Sequence, residues 1–147
     1  MIIRTIKVIV LGIPQGKGAA RHTRRGFTYT PSKTRDYMQT VSVEARKVCS
    51  WAHGCPCRLV IEAFFPIPES YSKKKKELIK SGKVFYTKKP DTDNLSKIKD
   101  ALKGIAFSDD ALVWKEEVTK YYSNTPRLEI TIFYEYGPTD EVLGYKE

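Results

Sequence analysis

The residues best suited to chemistry lie in one segment, Lys89-Pro-Asp-Thr-Asp-Asn-Leu-Ser-Lys97, with a second acidic pair at Asp109-Asp110. Pro90 biases Lys89 toward extended backbone. In extended backbone the side chains at i and i+2 point the same way, so the spacing predicts that Asp91 and Asp93 project their carboxylates together. Two like charges at that range are costly unless something positive lies between them. A hard divalent cation answers the need, and Mg²⁺ favours carboxylate oxygen plus water, with Mn²⁺ as a substitute. If Asp93 caps the helix that follows, Lys97 falls one turn on, over the same end. An ammonium there can hold a phosphate oxygen or stabilise charge on a leaving group. A third carboxylate, at Asp109 or Asp110, would complete a site for one or two ions.

Such a site acidifies a bound water, and the resulting hydroxide attacks phosphorus in line. It needs no histidine base, which suits a chain whose two histidines are His22 and His53. The same residues also make a good turn followed by a helix cap, and Asp109-Asp110 could be a cap or a loop before a strand. Spacing alone does not choose between these readings.

The chain that must position these groups has 147 residues, a length suited to one domain with its own core. Hydrophobic residues make up 41% and aromatics 12%, which argues for a globular fold over a disordered tail. Lys and Arg number 26 against 17 Asp and Glu, giving a formal charge of +9 and a pI of about 9.4. An anionic partner is the commonest compensation for that excess. The charge falls in two runs. The first 35 residues hold eight Lys or Arg and no acid, and residues 73–89 hold eight Lys against Glu77. Either run could be a solvated face. Together they match the distributed positive surface that a phosphate backbone rewards. Lys17, Arg21, Arg24 and Arg25 in the first, and Lys73, Lys74, Lys75, Lys76, Lys88 and Lys89 in the second, are the expected DNA contacts. Phe27, Tyr29, Tyr71, Phe85 and Tyr86 lie among them, placed either to stack on unpaired bases or to pack in the core.

No stretch approaches the length of a membrane span, and Arg4 and Lys7 make the N-terminal segment read as an amphipathic strand rather than a signal peptide. Three cysteines, Cys49, Cys55 and Cys57, cannot all pair in one chain and suit a reduced compartment, so a cytoplasmic location is expected. With His53 they fit no usual zinc spacing. Gly16-Lys17-Gly18 lacks the pattern of a P-loop. Trp51 and Trp114 read as core or interface anchors, and His53 as a loop residue.

The pattern predicts a strand over residues 2–11 and a Gly/Pro-punctuated loop over 12–33. A helix follows with Ser32 as N-cap and Tyr37, Val41, Ala45 and Val48 at helical spacing, ended by Gly54 and Pro56. Residues 57–65 read as a strand. Ser72 caps a short lysine-coated helix that ends near Gly82, and residues 84–87 look extended. A third helix carries Leu95, Ile98 and Leu102 on one face and stops at Gly104. Strands over roughly 111–122 and 127–136 follow, and the tail from 137 to 147 is expected to fray. The sum is a single α+β domain over 1–136, with a mixed or antiparallel sheet and about three helices.

At these residues the sequence resembles the RusA family of Holliday junction resolvases, encoded largely by phages and prophages. The resemblance is carried by Lys89-Pro-Asp-Thr-Asp-Asn-Leu-Ser-Lys97, Asp100-Ala-Leu-Lys-Gly104 and Asp109-Asp-Ala-Leu-Val113. It extends to Tyr29-Thr-Pro-Ser-Lys-Thr-Arg-Asp-Tyr37, Tyr71-Ser-Lys-Lys-Lys-Lys76, Lys120-Tyr-Tyr122 and Pro126-Arg-Leu-Glu-Ile-Thr-Ile132. It implies a homodimeric, Mg²⁺-dependent endonuclease that resolves four-way DNA junctions by paired nicks. Asp91 and Asp93 match the first two catalytic acids, Asp110 the third and Lys97 the catalytic lysine, with Asn94 in a positioning role. Two departures stand out. Only Ile98 and Lys99 separate Lys97 from Asp100, where the family usually has three residues. The segment that often reads Lys-Gly-Arg-Pro-Arg is Lys17-Gly-Ala-Ala-Arg21 here. Two other readings keep the basic surface: a non-catalytic DNA-binding accessory, and a metal-dependent nuclease for other branched DNA. The intact set Asp91, Asp93, Lys97 and Asp110 argues against the accessory.

Overall fold

Alternating burial builds the sheet. In strand β1 (Ile2–Leu11) the side chains of Ile6, Val8 and Val10 are buried while Lys7 and Ile9 face out. Strand β4 (Cys57–Phe65) buries Cys57, Leu59, Ile61, Ala63 and Phe65, and strand β6 (Arg127–Glu135) buries Leu128, Ile130, Ile132 and Tyr134. Period-two burial of this kind places one sheet face on a core. With strand β5 (Val113–Tyr122) the order is β1-β6-β4-β5. β6 runs antiparallel to both β1 and β4, whereas β4 and β5 are parallel. The sheet is therefore mixed, and the molecule is a single α+β domain as expected. The computed structural model describes residues 2–18, 21–29 and 31–135, so the frayed-tail expectation lies outside the described residues.

Helix α1 (Ser32–Val48) lays Tyr37, Val41 and Ala45 on the buried face and packs against β1. The other face of the sheet mixes charged and apolar side chains, with Arg58 over the Phe133 ring and Arg127 over that of Phe64. Glu129 there takes Lys7 Nζ at 2.7 Å and Arg127 Nε at 3.1 Å, which hold its carboxyl below the usual range, Lys7 first. A small hairpin, β2 (Arg21–His22) and β3 (Thr28–Tyr29), forms inside the expected loop. Helix α2 (Lys73–Lys80) starts as predicted, with Ser72 Oγ accepting from Lys75 N.

Several expectations change. Pro31, not Ser32, occupies the N-cap of α1, with no side-chain cap; its carbonyl accepts the Arg35 N–H and Ser32 is already helical. The helix stops at Val48, well before Gly54. The chain beyond is drawn off by backbone bonds from His53 N to Ala106 O and Ser108 N to His53 O. His53 is buried rather than a loop residue, its ring 3.9 Å from that of Tyr134. Trp51 and Trp114 are exposed, so neither is a core anchor. Residues 84–87 form a loop, not a strand.

The third helix divides into helix α3 (Thr92–Ser96) and a 3-10 helix over Lys97–Leu102. Leu95, Ile98 and Leu102 are buried as expected, and Ala101 with them, three residues after Ile98. That spacing of three is what a 3-10 helix stacks on one side. In this winding Ile98 and Ala101 stay inside while Asp100 remains exposed. Ser42 Oγ donates to Ala101 O at 2.8 Å and fixes this segment to α1.

Candidate active site

Asp91 occupies the N-cap position of α3 with extended backbone (φ −69°, ψ 155°). Leu95 N donates to its carbonyl at 3.1 Å, closing the first turn. Its carboxylate makes no capping bond. Asp93 lies inside the first turn and does not cap, because the helix begins at Thr92. The expectation that both acids share one extended face therefore fails; they bracket the start of a helix instead. Both carboxylates are exposed, 60% and 80% respectively, and each has one ammonium beside it. Lys89 Nζ lies 3.6 Å from Asp91 and Lys97 Nζ 3.5 Å from Asp93. The Lys97 contact is the i, i+4 pairing anticipated from sequence. Exposed pairs of this sort are worth ~0–1 kcal/mol, so they yield easily to a stronger cation.

α3 lies along β5, the sheet edge. Lys120 Nζ donates to the carbonyls of Lys88 (2.9 Å) and Pro90 (3.2 Å), anchoring the start of the motif. At the other end Glu116 accepts from Ser96 Oγ and from Lys99 Nζ at 3.0 Å. Thr92, Asp93, Ser96, Glu116 and Val118 line a groove of about 380 Å³. Glu116 and Lys120 were not singled out from sequence as site residues. Their signal is three-dimensional: polar side chains on an edge strand against which a short helix packs.

Of the second acidic pair, Asp109 is the capping member. Its Oδ1 accepts from Ala111 N at 3.0 Å, and this bond, with the Asp110 side chain and Lys103, holds its carboxyl below the usual range. Asp110 opens a 3-10 turn, Asp110–Leu112, that leads into β5. The turn-and-cap reading thus applies to Asp109 and leaves Asp110 as the candidate acid.

Asp110 does not join Asp91 and Asp93 within one chain. Asp91 follows Pro90, whose carbonyl accepts from Lys120 near the far end of β5, whereas Asp110 lies in the turn that precedes Val113 at its start. Among the described residues no three His, Cys, Asp or Glu side chains come close enough to hold a metal ion. The donor chemistry of Asp91 and Asp93 still fits a hard cation: Mg²⁺ is commonly bound by one or two carboxylates, with waters and phosphate completing its shell.

The glycine-rich loop is docked on the motif. Lys17 N donates to Asn94 O at 2.9 Å, and Lys17 Nζ pairs with Asp100 at 3.0 Å. A Cβ on Gly16 would sit 2.8 Å from Asn94 Cβ and 2.9 Å from Pro90 Cβ. Gly16→Ala is therefore expected to cost about 1–3 kcal/mol of overpacking, read as a lower denaturation midpoint. Gly18→Ala, with open space around it, should change the midpoint little. Equal midpoints for the two would contradict the docking.

Lys17 and Asp100 also line a cleft of about 430 Å³ with Arg35, Gln39, Ser42 and Arg46, adding two arginines to the cationic surface. Arg21, Arg24 and Arg25 are exposed on the hairpin. Lys73, Lys74, Lys75, Lys88 and Lys89 are exposed and Lys76 is half-buried. The second run converges on Tyr71, with Lys75 Nζ 3.8 Å and Lys88 Nζ 5.2 Å from its ring centre. Hydrogen bonding from Lys88, then Tyr122, lowers the Tyr71 hydroxyl to about 8.

Among the described residues no helix is long and apolar enough to cross a membrane. The sequence model of a family described as Endodeoxyribonuclease RusA matches residues 12–133. An uncharacterized protein of Bacillus subtilis (strain 168), YqaN, is 36% identical over 135 residues, covering 86% of this chain and 94% of that protein.

Proposed function

The chain belongs to the RusA endodeoxyribonuclease family, and from that membership we propose that it resolves four-way DNA junctions by paired, Mg²⁺-dependent nicks. The observation that carries the reading is the pair Asp91 and Asp93: two exposed carboxylates that the fold does not spend on capping, each beside a lysine. Asp91, Asp93 and Asp110 are the proposed metal-holding acids. When bound, the ion supplies an acidified water and offsets charge on the phosphate.

The chain's own groups do the rest. Lys97, 3.5 Å from Asp93, would hold a phosphate oxygen beside the acids. Asn94 gives its carbonyl to Lys17 N, so it ties the basic loop to the acids. Lys120 holds the backbone on both sides of Lys89. Since Asp110 lies in the turn before β5 and no three acids cluster among the described residues, a second copy of the chain would complete the set. Two-fold symmetry then provides two sites, as paired nicks require.

The test is a synthetic four-way junction incubated with and without Mg²⁺ beside a linear duplex of the same arms. Paired nicks in the junction, only with the divalent ion, are expected, with Mn²⁺ substituting and the duplex intact. Cutting that is indifferent to the ion or to the branch would overturn the proposal.

A further inference from the structure

Among the described large apolar side chains Phe85 is the most exposed, at 79%. Its loop is not slack. The adjacent Tyr86 ring stacks on Phe65 at 4.1 Å with 9° between planes, and the Tyr86 hydroxyl donates to Lys89 O at 2.9 Å. Lys120 holds the carbonyls of Lys88 and Pro90. On the other side Gly82, at φ 76°, turns the chain out of α2, and Lys83 N donates to Leu78 O at 3.0 Å. The loop therefore presents the Phe85 ring to solvent from a fixed frame that runs directly into Asp91. Lys80, Lys83, Lys88 and Lys89 surround it in sequence, with no acid between Glu77 and Asp91.

A partner for that patch must offer a flat apolar face and negative charge together. A nucleotide does both. Bases inside a continuous duplex are already stacked on two sides, and inserting a ring between them costs unstacking energy. At an open branch point, where the arms do not stack end to end, a base has lost a stacking neighbour, so the cost is least there. Resting on the junction-cutting reading above, we propose that Phe85 stacks on an unstacked base at the branch point and so sets the preference for branched over linear DNA. The fixed frame limits the entropy lost on contact, and stacking on one base accounts for roughly a 5- to 150-fold change on alanine substitution.

The experiment titrates wild-type, Phe85→Ala and Phe85→Trp proteins, without divalent ion, onto a junction carrying 2-aminopurine at the branch and onto linear duplex. Wild type should change the 2-aminopurine fluorescence. Phe85→Ala should lose that change and bind the junction about tenfold more weakly, while duplex affinity moves less than twofold; Phe85→Trp should retain both. Unchanged fluorescence and junction-to-duplex ratio in Phe85→Ala would overturn this assignment alone. So would a shift in its sedimentation, which would show the ring covered by a second copy. A wild-type protein that shows no preference for the junction would overturn the functional reading and this assignment with it.

Discussion

Asp91→Asn and Asp110→Asn should each hold a four-way junction as tightly as the parent chain and fail to cut it. The substitution keeps side-chain size and removes one charge. At position 91 Asn also suits the N-cap backbone, so α3 keeps its start and the lysines around it stay in place. What is lost is a hard anionic oxygen. If that oxygen helps hold an ion worth several kcal/mol to the reaction, cleavage falls on the order of a thousandfold or more. Binding, which rests on lysines and arginines elsewhere, is spared. Gel retardation and strand-nicking assays on the same samples separate the two. Nicking that persists in both purified variants at near parental rate would remove these acids from the chemistry.

The second large effect is on affinity. Junction binding should drop steeply with salt, because each neutralised phosphate releases condensed counterions. If six to ten of the cations on the hairpin, α2 and the Lys88-Lys89 loop engage phosphates, the association constant falls about 10³- to 10⁵-fold between 50 and 200 mM salt. Replacing Lys73, Lys74, Lys75 and Lys76 with alanine should flatten the slope without touching Asp91 or Asp93, since α2 lies apart from the acid motif in sequence and meets it through Tyr71. A flat titration of the parent protein would show that the +9 charge is not a phosphate-binding surface.

The strands were the most legible part of the fold, because their β-branched and apolar runs suit a sheet with one face buried; β1 and β4 bury every second residue. Ser72 was legible as a cap because capping is local, a hydroxyl and an N–H three residues on. Ser32 looked equivalent, yet Pro31 took the cap backbone and left no side-chain bond. Leu95, Ile98 and Leu102 are buried as their helical spacing predicts, but Ala101 is buried beside them, and the 3-10 winding that admits it leaves no mark a search for helical period would find.

At the site, the residue types were readable and their convergence was not. Which acid of the pair 109–110 makes the turn depends on one bond, from Ala111 N to Asp109. The separation of Asp110 from Asp91 follows from the course of β5, parallel to β4 and alongside α3, and spacing along the chain carries no record of it. Aromatics among the lysines were likewise alike in sequence. Phe65 claims the Tyr86 face and leaves Phe85 exposed.

The central claim is that acids from two copies of the chain complete one site, and mixing the two inactive variants tests it most directly. In a mixed dimer of Asp91→Asn and Asp110→Asn, one site carries both lesions and the other carries none. Junction nicking should therefore return on mixing, as single nicks rather than paired ones, at about a quarter of the parental site number after free exchange. If labelled subunits demonstrably exchange and the mixture stays as inert as each variant alone, the shared site is contradicted.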